Sequence, residues 1–167
     1  MPKKVRGFTL TELLIVVAMI TVLAAAIILI INPAKLLAKS RDSQRFSDIT
    51  GIVNAMNLYL ADNKPLVVKG PFLSTDGTNN GTREKNNGTG WIPINFTLVS
   101  SGAPLGVLPI DPVNNATYHY SFGADPATKT YEVDCVFEYA DNIIKQSADG
   151  GNNKNVYEIG TDLTILP

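Results

Sequence analysis

Apolar residues are spread unevenly along this chain. Residues 13–31 form a run of 19 in which Thr21 alone is polar. At 1.5 Å of rise per residue a helix over this run is roughly 28 Å long, enough to cross the hydrocarbon core of a bilayer. Glu12 stands at its upstream edge, and Lys3, Lys4 and Arg6 precede it. Asn32-Pro33 comes directly after the run, and Pro both removes a helix hydrogen bond and restricts the residue before it. The expectation is a kink there. Over 34–62 the pattern turns amphipathic. Phe46, Ile49, Val53, Met56 and Leu60 recur at spacings of 3, 4, 3 and 4, and Ile52 and Tyr59 widen that face. Lys35, Lys39, Arg41, Asp42, Arg45 and Asp48 lie opposite and predict a solvated face, with Lys39–Asp42 and Arg45–Asp48 as i,i+3 pairs. This helix is predicted to end near Asn63-Lys64-Pro65.

Residues 64–104 are the least regular. The 74–90 stretch is rich in Asn, Gly and Thr, lacks apolar periodicity, and reads as an exposed loop. Trp91, Ile92, Ile94 and Phe96 return the chain to a core. Leu108-Pro109-Ile110-Asp111-Pro112 is a rigid turn entry. Period-two alternation then predicts a hairpin: Tyr118, Tyr120 and Phe122, a turn over 123–129, and Tyr131, Val133, Cys135, Phe137 and Tyr139. Glu132, Asp134 and Glu138 fall on the alternate, wet face. A short final strand is predicted over 156–159. The 141–162 segment, with Asp149-Gly150-Gly151-Asn152-Asn153, reads as a polar loop without EF-hand spacing, and no metal ligand is assigned in it.

Charge and rare residues narrow the chemistry. Of 14 Lys and Arg, three lie in the first seven residues, and the rest meet 15 Asp and Glu, so there is no polybasic nucleic-acid surface. With one Cys no internal disulfide can form, and Cys135 reads as an inert core thiol. One His and one Cys make no zinc cluster, and His119 reads as a solvated strand residue. G-x-S-x-G, H-E-x-x-H and phosphate-loop patterns are missing, so no catalytic residue, no metal ligand and no cofactor is assigned. An enzyme is not the expectation. Four Asn-x-Thr sequons, at Asn80, Asn87, Asn95 and Asn115, arise easily in an Asn- and Thr-rich chain.

A basic start before an apolar run places the amino terminus in the cytoplasm and the chain beyond the run outside. An ordinary secretory signal would share those features, and Ala24-Ala25-Ala26 offers a small-residue cleavage site. Residues 27–31 continue the apolar run beyond it, which argues against that cut. A simple uncleaved anchor is the other reading.

The segment Gly7-Phe8-Thr9-Leu10-Thr11-Glu12-Leu13-Leu14 resembles the class III signal of type IV pilins and type II secretion pseudopilins. The resemblance covers about 30 residues. It implies that prepilin peptidase cuts between Gly7 and Phe8, and that Phe8 becomes the N-methylated first residue. It implies for Glu12 a contact with the terminal amine of a neighbouring subunit, which sets helix register in a filament. Relatives often carry a Pro about one helical turn earlier than Pro33. The helix from Ser43 to Asn63 and the order Leu-Pro-x-Asp-Pro, Tyr-x-Tyr and an acidic C-terminal loop also resemble G-type major pseudopilins, which carry a calcium site in the corresponding loop.

The resulting expectation is an α+β, pilin-like fold, with a long N-terminal helix packed on a small antiparallel sheet. The expected divisions are a leader over 1–7, a transmembrane and filament-core helix over 8–32, an amphipathic continuation over 33–63, and a globular domain over 64–167. The expected partners are prepilin peptidase, copies of this chain or other pilin-like subunits, an inner-membrane assembly platform and the membrane, with no nucleic acid bound directly. The expected location is the inner membrane, single-pass, with the C-terminal domain outside, and then a pilus or pseudopilus. A membrane-anchored binding module that does not polymerise is the alternative.

Overall fold

The computed structural model of the protein describes residues 7–76 and 82–167. The leader cations Lys3, Lys4 and Arg6, and the Asn80-Gly81 part of the first sequon, lie outside the described residues. The chain divides into two compact units, Met1–Leu37 and Ala38–Pro167. Its architecture is α+β, with a long apolar N-terminal helix and a four-stranded antiparallel sheet in the order β1-β2-β3-β4.

In the first unit, α1 is Leu10–Ile31. No described residue of its unit covers it: Leu14, Met19, Val22 and Ile28 are all exposed. Exposure of so much apolar surface has a large cost in water and none in lipid. Leu10–Ile28 is long and apolar enough to cross a membrane. The helix stops at Asn32, whose φ of 46° is left-handed and whose N–H donates to the Ile28 carbonyl. Asn tolerates this backbone better than most residues. Pro33 then opens α2 (Pro33–Ala61), where a first-turn Pro forfeits no hydrogen bond. The side chain of Asn32 accepts from Lys35 N at 3.3 Å, so one residue closes one helix and caps the next. The expected kink is a full break between two helices.

In the second unit, Ile49, Ile52, Ala55, Met56 and Tyr59 of α2 are buried. They join Phe96, Leu108, Tyr120, Phe122, Tyr131 and Val133 in one core. Val53 and Leu60 are only partly buried and Phe46 is exposed, so the buried face is rotated from the predicted one. The sheet comprises β1 (Phe72–Leu73), β2 (Tyr120–Asp125), β3 (Thr130–Cys135) and β4 (Tyr157–Gly160). β2 runs farther than the alternation suggests, because Gly123 to Asp125 pair with Glu132 to Thr130. Two tyrosines tie sheet to helix: Tyr120 Oη donates to Asp48 at 2.8 Å, and Tyr131 Oη donates to Asn57 at 2.7 Å. Cys135 is buried in this core, and burial pushes its thiol up.

The described part of 74–90 is anchored, in contrast to the exposed loop expected there. Ser74 is fully buried and its hydroxyl donates to Asn114 at 2.7 Å. The Arg83, Glu84 and Asn86 carbonyls accept from Trp91, Leu108 and Phe96 amides. A short helix, α3 (Ala140–Gln146), interrupts the segment that reads as a polar loop.

Candidate functional site

The sequence-assigned residues Gly7, Phe8 and Glu12 sit at the start of α1, and Phe8 is 84% exposed. Thr9 is the N-cap, with Glu12 three residues on, the spacing of a capping box. Glu12 N donates to Thr9 Oγ1 at 3.2 Å, and Thr9 N donates back to Glu12 Oε2 at 2.8 Å. The Thr9 hydroxyl also donates to Oε2, at 2.7 Å. The carboxylate therefore satisfies a helix amide that lipid could not, and its charge sits where the helix dipole favours it. Glu12 remains exposed.

Two polar clusters in the second unit escape the sequence reading. The first centres on Arg45. The face holding Asp42 and Arg45 was expected to be wet, yet both are buried, Arg45 completely. Arg45 Nε donates to Asp111 Oδ2 at 2.6 Å and Nη2 donates to Asp111 Oδ1 at 3.0 Å, a bidentate pair. Nη1 donates to Asp42 Oδ1 at 2.9 Å, and Nη2 lies 2.6 Å from Glu138 Oε1. Arg41 also donates to the Glu138 carboxylate. Asp111 further accepts from Val113 N and Asn114 N, and Asp42 from Glu138 N and Tyr139 N. Burial alone would lower the Arg45 pKa, but its bonds to Asp111 and Glu138 outweigh burial and raise it. The Arg41 hydrogen bond, with Arg45 behind it, holds Glu138 below the usual carboxylate range. This network fastens α2 to the Asp111 turn and to the end of β3. The expected Lys39–Asp42 and Arg45–Asp48 pairs do not form it. The signal available in the sequence was Asp111 between two prolines, a turn that aims an acid inward.

The second cluster is acidic. Alternation or position assigns Glu132, Asp134 and Glu158 to wet surface, and all three are buried. Asp134 and Glu158 are direct cross-strand partners. One oxygen of each of the three lies within 4.8 Å of the others. Burial first, and then the neighbouring acids, push Glu132 and Asp134 well above the carboxylate range. The alternation holds, but the second face is covered by the C-terminal segment: Ile165 N and Leu166 N each donate to Glu132 Oε2 at 2.8 Å. His119 is half-buried, with Nδ1 3.2 Å from the Asn115 carbonyl, and no acid of either cluster is its partner.

The prokaryotic N-terminal methylation motif matches residues 2–28, which includes Gly7, Phe8, Glu12 and most of α1. No curated protein and no solved structure matches the chain. The motif implies processing by prepilin peptidase and pilin-like assembly. Together with the apolar helix Leu10–Ile28 it gives the chain a single-pass membrane anchor. The chain carries a type IV pilin-like class III signal at its amino terminus.

Proposed function

We propose that the protein is a structural subunit of a type IV pilus-like or type II secretion pseudopilus filament. The observation that carries this is the methylation motif at 2–28, placed directly on an exposed apolar helix. In this reading residues 1–7 are a leader that prepilin peptidase removes on the cytoplasmic side, and Phe8 is methylated. Residues 8–32 anchor the subunit in the inner membrane and then bundle in the filament core. Residues 33–63 continue outward, and 64–167 form the extracytoplasmic domain. Its partners are copies of itself or other pilin-like subunits and an inner-membrane assembly platform. Contacts between subunits are heterologous and do not close, so they propagate as a helix of subunits. Apolar helix surface, at about 25 cal/mol per Å², supplies the cohesion once it leaves lipid for the bundle. The likeness of the Leu108–Asp111 turn and the Tyr-x-Tyr strand to G-type pseudopilins favours the secretion filament over the surface pilus.

Mass spectrometry of the mature chain tests this. A chain beginning with N-methylated Phe8 is expected. An intact Met1, or a start after Ala26, overturns the filament reading. Those outcomes favour an anchored binding module, for which a pocket of about 340 Å³ lined by Phe72, Asp76, Trp91 and Pro93 is one candidate cavity among the described residues.

A further inference from the structure

The sequence does not rank its four Asn-x-Thr sequons, but the fold does. The three that lie wholly within the described residues sit in different surroundings. Asn87-Gly88-Thr89 is a tight turn in which Gly88 holds a left-handed φ of 89°, a conformation that favours glycine. Asn87 and Thr89 are both exposed. Thr89 N and Thr89 Oγ1 donate to Asn87 Oδ1 at 3.2 and 2.7 Å. Asn115-Ala116-Thr117 is exposed at all three residues. Asn115 Oδ1 accepts from Thr117 N at 2.9 Å and from Tyr118 N at 2.8 Å. In both sequons the oxygen is therefore the bonded end of the carboxamide. Neither Asn87 Nδ2 nor Asn115 Nδ2 has a hydrogen-bond partner among the described residues. Asn95-Phe96-Thr97 shares the side-chain bonding of the first, with Thr97 N and Thr97 Oγ1 donating to Asn95 Oδ1 at 3.1 and 2.6 Å. Its middle residue differs. Phe96 is completely buried, meets Tyr59 edge-on with ring centroids 6.0 Å apart, and opens a 3-10 turn over Phe96–Leu98.

We propose that Asn87 and Asn115 are acceptor sites for an N-linked glycan, and that Asn95 is not. The donor is an oligosaccharide carried on a polyprenyl pyrophosphate, used by a membrane transferase outside the cytoplasm. Nδ2 of the asparagine forms a bond to the anomeric carbon of the first sugar. The bond from that carbon to the pyrophosphate oxygen breaks, and the lipid pyrophosphate leaves with the electron pair. One Nδ2 proton passes to a base of the transferase, and nothing is oxidised or reduced. Such an enzyme must hold the carboxamide and the hydroxyl two residues on at the same time, which is why the motif has this spacing. Asn87 and Asn115 offer both groups from exposed turns, with only Gly88 or Ala116 between them. Gripping Asn95 and Thr97 together would draw Phe96 out of the core, which burial of a large aromatic ring opposes. Replacing an N–H that has no protein partner also sacrifices no hydrogen bond of the fold. The glycans add bulky, water-compatible cover to the surface. The proposal rests on the reading that residues 64–167 are extracytoplasmic.

The test takes the full chain from the membranes of the cells that make it and reads it by glycopeptide mass spectrometry. Chymotrypsin cuts after Trp91 and Phe96 and so separates the three sequons. The peptides holding Asn87 and Asn115 are expected to carry the mass of whole sugar units attached to Asn, and the peptide holding Asn95 none. Thr89→Ala is expected to strip the sugar from Asn87 and leave it on Asn115, while Thr89→Ser, which keeps the hydroxyl, retains both. Thr89 is exposed and its hydroxyl bonds only Asn87 among the described residues, so these variants leave the core intact. Bare peptides at both sites overturn the proposal, and a bare peptide at one overturns that site. Sugar on Asn95 overturns selection by burial of the middle residue. Sugar that persists at Asn87 in Thr89→Ala overturns the sequon as its cause. The amino terminus of the same sample separates this from the filament reading. Bare sequons on a chain that begins at Phe8 reject the glycans alone, and sugar on a chain with an intact Met1 rejects the filament alone.

Discussion

Arg45 joins three acids of the second unit. Its side chain is fully buried, yet its donors meet Asp111, Asp42 and Glu138, and its guanidinium stacks 4.9 Å from the Tyr118 ring. A buried ion network adds little over well-packed apolar residues, but breaking it leaves uncompensated charge. Arg45→Met strands three carboxylates in place and is expected to cost about 3–5 kcal/mol, read by chemical denaturation. Arg45→Lys is expected to recover only part of this, because an ammonium cannot make the bidentate Asp111 pair. The network also carries a pH dependence. Arg41 first, then Arg45, lower the Glu138 pKa below its ordinary 4.5. A carboxylate with a depressed folded pKa stabilises fully above its unfolded value, and that stability is lost as pH falls through the folded one. Thermal midpoints should therefore drop more steeply below pH 4.5 in the wild type than in Glu138→Gln. Parallel acid limbs in the two chains would remove Glu138 from the acid sensitivity.

At the scale of elements, legibility tracked sequence distance. Helix α1 and its Thr9–Glu12 cap are written in adjacent residues, and composition alone marks the span. The core side of α2 was legible as a 3.6-residue period. Period shows which residues share a face but not what covers that face. Asp42 and Arg45 looked solvated because their lids, Asp111 and Glu138, stand 66 to 96 residues away. The same holds for β3: alternation separated Glu132 and Asp134 from Tyr131 and Val133, while the cover over the acids is the chain's last residues. Two elements had no signal of their own. β1 is two residues long, too short for any alternation. α3 has Tyr139 as an N-cap without a side-chain bond, so the usual Ser, Thr, Asp or Asn mark is missing. Its place is set by Gln146, whose side chain is buried between the Phe137 amide and the Asn155 carbonyl. The amino-terminal signal, by contrast, was legible because its pattern is written in neighbouring residues, where the methylation motif also matches.

For the molecule as a whole, the question is what Glu12 contributes beyond starting a helix. Its bonds to Thr9 explain a carboxylate at the head of an apolar helix without any neighbour. The filament reading adds a second role, in which the charge meets the terminal amine of another subunit. The two roles separate by substitution. Glu12→Ala removes both the charge and the reciprocal half of the capping box, the bond from Thr9 N, while Thr9 Oγ1 can still accept from the backbone N of residue 12. Glu12→Gln removes the charge alone, since Gln also serves at the third position of a capping box. Both variants should still insert, because residues 13–31 are untouched, and both should still be trimmed before Phe8. If charge sets the stagger between subunits, neither builds filaments when assembly is monitored by shearing and electron microscopy. If Glu12→Gln assembles normally while Glu12→Ala does not, the cap is sufficient and the intersubunit role is lost. On the filament reading burial favours the first outcome: a lone carboxylate in a bundled core has no water and needs a cation, and the terminal amine of a neighbour is the cation that reading offers.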